Sequence, residues 1–134
     1  MSISNIDHVA VTTGDLTGFI AFYERVFGAR VEQEYDLGGQ RSIVQLRVGN
    51  AMLNVHRMGH GHPLVADRPT PGAIDLCFRW NAPIAEAVAM LGGAGVTIIE
   101  GPVARTCSEN IEGQSVYFRD PDGNLIELLS TTPE

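Results

Sequence analysis

The sequence is short of several things, and each shortage removes a class of function. Its 134 residues hold only nine lysines and arginines against 16 aspartates and glutamates, a net charge of −7. The basic residues are scattered, whereas nucleic-acid affinity comes mainly from clustered cations that neutralise phosphates. No nucleic-acid partner is expected. No apolar run approaches the ~20 residues of a membrane span, so no membrane role is expected either. The opening MSISNIDHVAV lacks a basic stretch followed by an apolar one, which makes a cytoplasmic location the expectation. Two cysteines, Cys77 and Cys107, stand far apart and outside any paired-cysteine motif. They read as a buried small hydrophobe and a loop thiol rather than a disulfide. The glycines form no phosphate-cradling motif after a strand, and no Ser-His-Asp or Cys-His set is evident.

What the sequence does contain is a repeat. With Gly93-Ala94-Gly95-Val96 placed on Gly28-Ala29-Arg30-Val31, the segment VAVTTGDLTGFIAFYERVFGARV lies over IDLCFRWNAPIAEAVAMLGGAGV without a gap. Phe19 then coincides with Ile84, Tyr23 with Val88 and Val26 with Leu91. Each copy reads as strand, turn, helix, glycine, strand. Asp7 to Thr12 and Ile74 to Phe78 are short β-prone runs. Asp15 is the N-cap of the first helix and Gly28 its left-handed C-cap. Asn81 is expected to cap the second helix, with Pro83 in the first turn and glycines 92, 93 and 95 ending it.

Three strands are expected after each helix. They are 30–35, 40–48 and 51–57 in the first copy, and 96–99, 114–119 and 125–130 in the second. Gly38-Gly39 and Gly49-Asn50 supply turns, and Asp120-Pro121-Asp122-Gly123 is a strong hairpin signal. The expected fold is therefore α+β: two tandem βαβββ modules, about 4–57 and 72–131, in one domain. A Gly-, Pro- and His-rich linker, 58–71, joins them.

Paired βαβββ modules, the opening IDHVAVTTGDL and the closing YFRDPDGNLIELL resemble the vicinal oxygen chelate superfamily of glyoxalase, bleomycin-resistance and extradiol-dioxygenase proteins. The middle, RPTPGAIDLCF and later EGPVART, is similar to its glyoxalase-domain members of unassigned substrate. The resemblance covers nearly the whole chain, and the end motif is its most specific part. It implies that each module folds into a half-barrel cup. A divalent metal, Fe, Mn, Ni or Zn, would be held by first- and last-strand residues, with open positions for two substrate oxygens.

On that resemblance His8 and Glu127 fall on the first and last ligand positions. A hydrogen-bonded strand histidine and a solvent-facing glutamate are the plainer readings. In the repeat as aligned, His8 lies over Ala73, and the hairpins place Glu127 over Asn54. Two expected ligands are thus missing in register. Two residues along each strand stand His56 and Asp75, on the same face by strand alternation, a step of roughly 6.6 Å. His56 with His8 and Glu127 would make a two-histidine, one-carboxylate metal set. Asp75 reads as a ligand, as a catalytic base beside Glu127, or as a carboxylate paired with Arg79 or Arg105. His60 and His62, in GHGHP, read as solvated linker. Arg105, in an expected loop, is a candidate for binding a substrate carboxylate or phosphate. Tyr117 is a second candidate substrate contact, and either it or Phe118 must face the core.

The expected function is a metal-dependent enzyme, lyase or isomerase or ring-cleaving dioxygenase, acting on a small oxygen-rich molecule. The alternative is a metal-free protein of the same fold that sequesters a drug or antibiotic. In the superfamily, two-module chains commonly pair as homodimers with sites shared between chains.

Overall fold

A computed structural model describes residues 1–134 and divides the chain into two compact units, Met1–Gly72 and Ala73–Glu134. The first runs β1 (Val9–Thr13), α1 (Leu16–Phe27), β2 (Arg30–Leu37), β3 (Gln40–Val48) and β4 (Ala51–Arg57). The second runs β5 (Asp75–Arg79), α2 (Ile84–Gly93), β6 (Glu100–Thr106), β7 (Glu112–Arg119) and β8 (Leu125–Ser130). Each unit is one four-stranded sheet, in the order β1-β4-β3-β2 or β5-β8-β7-β6. The first strand of each pairs parallel to the last, and the rest pair antiparallel. The two tandem βαβββ modules are therefore present.

Helix α1 forms where the spacing requires. Leu16, Phe19, Ile20, Tyr23 and Val26 make its buried stripe, and the Asp15 carboxylate caps it by accepting from the Gly18 N–H at 3.0 Å. Gly28 ends it with φ of 65°, a left-handed turn that favours glycine. Phe19 and Tyr23 stack with centroids 4.4 Å apart. Val11, Val44, Leu46, Leu53 and Val55 complete this core from the sheet. The second module buries Ile84, Ala87 and Leu91 of α2 together with Val116, Phe118, Ile126 and Leu128. In each sheet one face is spent on the core, so the alternate residues must line the other, concave face.

Several sequence expectations need correction. Helix α2 begins at Pro83 as N-cap with no side-chain cap, so Asn81 does not cap it. Gly92 and Gly93 lie inside that helix, and the left-handed glycine after it is Gly95, φ 74°. Residues 96–99 are not a strand. β6 starts at Glu100 and carries Arg105, which is therefore not in a loop. The burial of the cysteines differs from expectation: Cys77 is exposed on β5, while Cys107, in the loop after β6 as expected, is buried. No helix is long and apolar enough to cross a membrane.

The Asp120–Gly123 turn is held by one buried carboxylate. Asp120 accepts from the N–H of Asp122 and of Asn124, each at 3.0 Å, and from Asn124 Nδ2 at 2.8 Å. Asn124 Oδ1 in turn accepts from the Ile74 N–H at 3.0 Å, which ties the hairpin to the start of β5.

Candidate functional site

The strand register revises the repeat. Ala10 pairs with Asn54 across β1 and β4, and Cys77 pairs with Glu127 across β5 and β8. Asn54 and Glu127 are also equivalent in their hairpins, facing Gln45 and Tyr117 respectively. Ala10 is thus the counterpart of Cys77. Stepping back two residues on the same face makes Asp75, not Ala73, the counterpart of His8. The helix ends agree, because Gly28 and Gly95 share the left-handed conformation. The alignment on Gly93 slipped by two because it set Gly28 against a glycine inside α2 rather than against the left-handed Gly95 that follows it. His56 is not repaired by this shift. It lies beside Thr12 and Ile43, one row beyond Asn54.

On the first module's concave face is a cavity of about 520 Å³, a size suited to a small molecule. Asn54 and His56 reach it from β4, His8 from the residue just before β1, which starts at Val9 rather than at Asp7 as expected, and His62, Leu64 and Val65 from the linker. His8 Nδ1 lies 2.8 Å from Asp7 Oδ2. A carboxylate there holds the proton on Nδ1 and leaves the Nε2 lone pair outward, the arrangement found behind metal-binding histidines. Asn54 Oδ1 is buried and has no hydrogen-bond partner. A buried acceptor left unpaired costs free energy unless something absent from the chain satisfies it.

His56 is half-buried, and its Nδ1 lies 3.1 Å from His60 Nε2. Burial holds its pKa below the usual value, and neighbouring His60, His62 and His8 act in the same direction. His60 and His62 are not simply solvated: each Nδ1 accepts a backbone N–H, from His62 at 3.0 Å and from Leu64 at 3.1 Å.

In the second module Glu127 is half-buried on the concave face, flanked across the ladder by Cys77 on β5 and Tyr117 on β7. The Cys77 thiol is pushed up to about 11, first by partial enclosure of its sulfur and then by the adjacent Glu127 carboxylate. Phe118 takes the core position and Tyr117 the concave face. Arg105 Nε donates to the Tyr117 hydroxyl at 2.8 Å, and its guanidinium lies 5.4 Å from the ring centroid. The Tyr117 pKa is raised, chiefly by burial and further by Glu127, against the lowering effect of Arg105. Arg79 pairs with Glu109 at 2.6 Å and Thr131 at 3.0 Å. Neither arginine pairs with Asp75, which stays exposed.

No group of three or more His, Cys, Asp or Glu comes together as a metal site in the single chain. The donors nevertheless fit a divalent ion in type. One face presents an oriented imidazole and an unpaired amide oxygen, and the other presents two carboxylates without ion pairs. Sequence reasoning passed over Asp7, Asn54 and Cys77. For Asn54 a signal was available, since it aligned with Glu127, but the position was counted as a missing ligand in favour of His56 two residues on.

The model of the Glyoxalase/Bleomycin resistance protein/Dioxygenase superfamily matches residues 5–128. The virulence protein STM3117 of Salmonella typhimurium is 40% identical over 128 residues, 96% of this chain and 85% of that protein. Its crystal structure superposes with a TM-score of 0.83, covering 97% of this chain and 98% of the other. A glyoxalase domain-containing protein, RDO1 of Mycosarcoma maydis, is 38% identical over 97% of this chain and 70% of its own. The VPC_CASS1 structure from the mobile metagenome of V. pseudocholerae is 35% identical with a TM-score of 0.88, covering 99% and 98% of the two chains. The fold alone is shared, at 20–24% identity, with a lactoylglutathione lyase of Agrobacterium tumefaciens, the manganese-bound fosfomycin resistance protein FosX of Listeria monocytogenes and the antibiotic-binding protein TnmS3 of a Streptomyces. Metalloenzymes and antibiotic-binding proteins thus use the same scaffold, and by the family match and the curated relatives this chain belongs to the glyoxalase/bleomycin resistance/dioxygenase superfamily.

Proposed function

We propose that the protein is a divalent-metal-dependent enzyme acting on a small substrate with two neighbouring oxygen atoms. The observation that carries this reading is the register. Asn54 and Glu127 are equivalent in their ladders, and His8, two residues before Ala10, is equivalent to Asp75, two before Cys77, so each pair offers a nitrogen or oxygen donor in both modules. His8, oriented by Asp7, would supply Nε2, Asn54 its unpaired Oδ1, and Asp75 and Glu127 their carboxylates. An oxygen-rich set with one imidazole suits manganese, iron, nickel or zinc. Such an ion, when bound, serves as a Lewis acid toward the substrate's oxygens.

The surrounding residues have their own tasks. Tyr117, bridged to Arg105, presents a hydroxyl beside Glu127 and holds that carboxylate in place. The raised Tyr117 pKa keeps this hydroxyl a donor at neutral pH, and Arg105 adds a positive charge for an anionic substrate group. Leu64 and Val65, both exposed, give the first-module cavity an apolar rim. The metal site is shared in a two-fold homodimer, with His8 and Asn54 from one chain and Asp75 and Glu127 from its partner. Such pairing would also cover the site-side edge strands β1 and β5, whose exposed ladder groups are otherwise a liability.

Elemental analysis of tag-free, reconstituted protein tests the reading. About one divalent ion per chain is expected, lost in His8→Ala and in Glu127→Ala. Wild-type protein that takes up no ion overturns it and leaves a metal-free drug- or antibiotic-sequestering protein as the reading, a role akin to the antibiotic binding of TnmS3.

A further inference from the structure

We propose that His56, His60 and His62 form a hydrogen-bond relay that fixes His56 as an N–H donor to a substrate oxygen, making the linker part of the binding site. The argument follows the protons. The backbone N–H of Leu64 points at His62 Nδ1, and that of His62 points at His60 Nδ1, so both atoms must present lone pairs. A neutral imidazole has one protonated nitrogen. His60 therefore carries its hydrogen on Nε2, and that hydrogen is directed at His56 Nδ1, 3.1 Å away. His56 Nδ1 accepts, so its own hydrogen is on Nε2. That nitrogen has no partner within the protein, and the ring lines the first-module cavity.

Two histidine nitrogens 3.1 Å apart would also suit neighbouring ligands of one ion. The backbone amides decide against that. A metal on His60 Nε2 would require the hydrogen on Nδ1, where the His62 N–H already donates. His56 is by the same logic a poor ligand through Nε2, unlike His8, whose Asp7 partner sets the opposite tautomer. Two histidines facing one cavity are thus assigned opposite roles, lone-pair donor and hydrogen donor. His56 passes from the metal set suggested by spacing to substrate recognition, with His60 as its positioning residue. The ligand it fits carries a carboxylate, carbonyl or enolate oxygen toward His56 and an apolar part toward Leu64 and Val65.

This inference rests on the cavity being the substrate site, and its test is kept independent of metal. In metal-free, 15N-histidine-labelled protein, long-range proton–nitrogen correlation distinguishes the two tautomers. His56, His60 and His62 are expected as Nε2–H, and His8 as Nδ1–H. Benzoate, which joins an apolar ring to a carboxylate, is the binding probe and should shift the His56 Nε2–H signal saturably. His60→Ala should weaken benzoate at least fivefold without altering metal uptake, and His60→Gln, which can still donate to Nδ1, should restore most of it. His56 as the Nδ1–H tautomer, no saturable benzoate shift in wild type, or equal benzoate affinity in His60→Ala each overturns the relay. Failure of wild-type protein to take up metal would end the enzyme reading and leave this one standing.

Discussion

Replacing Asp120 with alanine should cost the fold far more than one turn residue normally does. Its carboxylate is only 5% exposed and accepts three hydrogen bonds, two from Asn124 and one from Asp122. Asp122 N–H is part-buried and can recover a water. The two Asn124 donors are buried, and each left unpaired costs about 1–3 kcal/mol. The expected loss is therefore about 3–5 kcal/mol, a large share of a typical total of ~5–15 kcal/mol. Asp120→Asn keeps an acceptor for the backbone N–H groups but sets an amide against the Asn124 amide. Asn124 cannot rotate to meet it without dropping the Ile74 N–H. That variant should lose about 1–3 kcal/mol. Urea unfolding followed by far-UV circular dichroism measures both, with the midpoint moving and the slope constant. A loss below ~1 kcal/mol in Asp120→Ala would refute the account, and so would an asparagine variant as damaged as the alanine one.

Two further outcomes are expected. Mixing His8→Ala with Glu127→Ala protein and allowing subunit exchange should restore one of the two metal sites in each heterodimer, about a quarter of all sites at statistical exchange, because the other site collects both defects. A sedimenting monomer, or confirmed exchange without recovery, would reject shared sites. In metal-free protein the Cys77 thiol, held near 11, stays protonated at pH 8. Its alkylation by iodoacetamide should therefore be slow at pH 8 and climb until about pH 11. Glu127→Gln removes an adjacent negative charge, lowers that pKa and should speed the reaction at pH 8; an unchanged rate would separate the two side chains.

Most of the fold was legible because its signals are local. Asp15, the stripe from Phe19 to Val26 and Gly28 specify a capped amphipathic helix, and the alternation in residues 40–48 and 51–57 specifies two core strands. Residues 96–99 misled, since an apolar run after a helix reads as a strand whether or not a ladder partner is in reach. The ladder instead begins at Glu100, opposite Tyr117. The position of Asp75 was hidden for a related reason. Register depends on pairing with β8, which no window around Asp75 contains. The linker histidines do lie in the loop that their glycine and proline neighbours signal, but those neighbours do not show that a loop can order its imidazoles through its own backbone amides.

The two concave faces differ in sign as well as in sequence. At matching positions the first offers an imidazole and an amide, His8 and Asn54, and the second offers two carboxylates, Asp75 and Glu127. A first face set against a second collects two negative charges, the complement of one divalent cation. Two first faces together would leave such a cation unbalanced by two charges, and two second faces would crowd four carboxylates whose repulsion only further cations or protons could relieve. At the shared metal site proposed above, the divergence of the repeat would act as a sorting rule: identical halves would repel or ignore the ion, unlike halves would neutralise it, and the ion would favour the pairing of unlike modules.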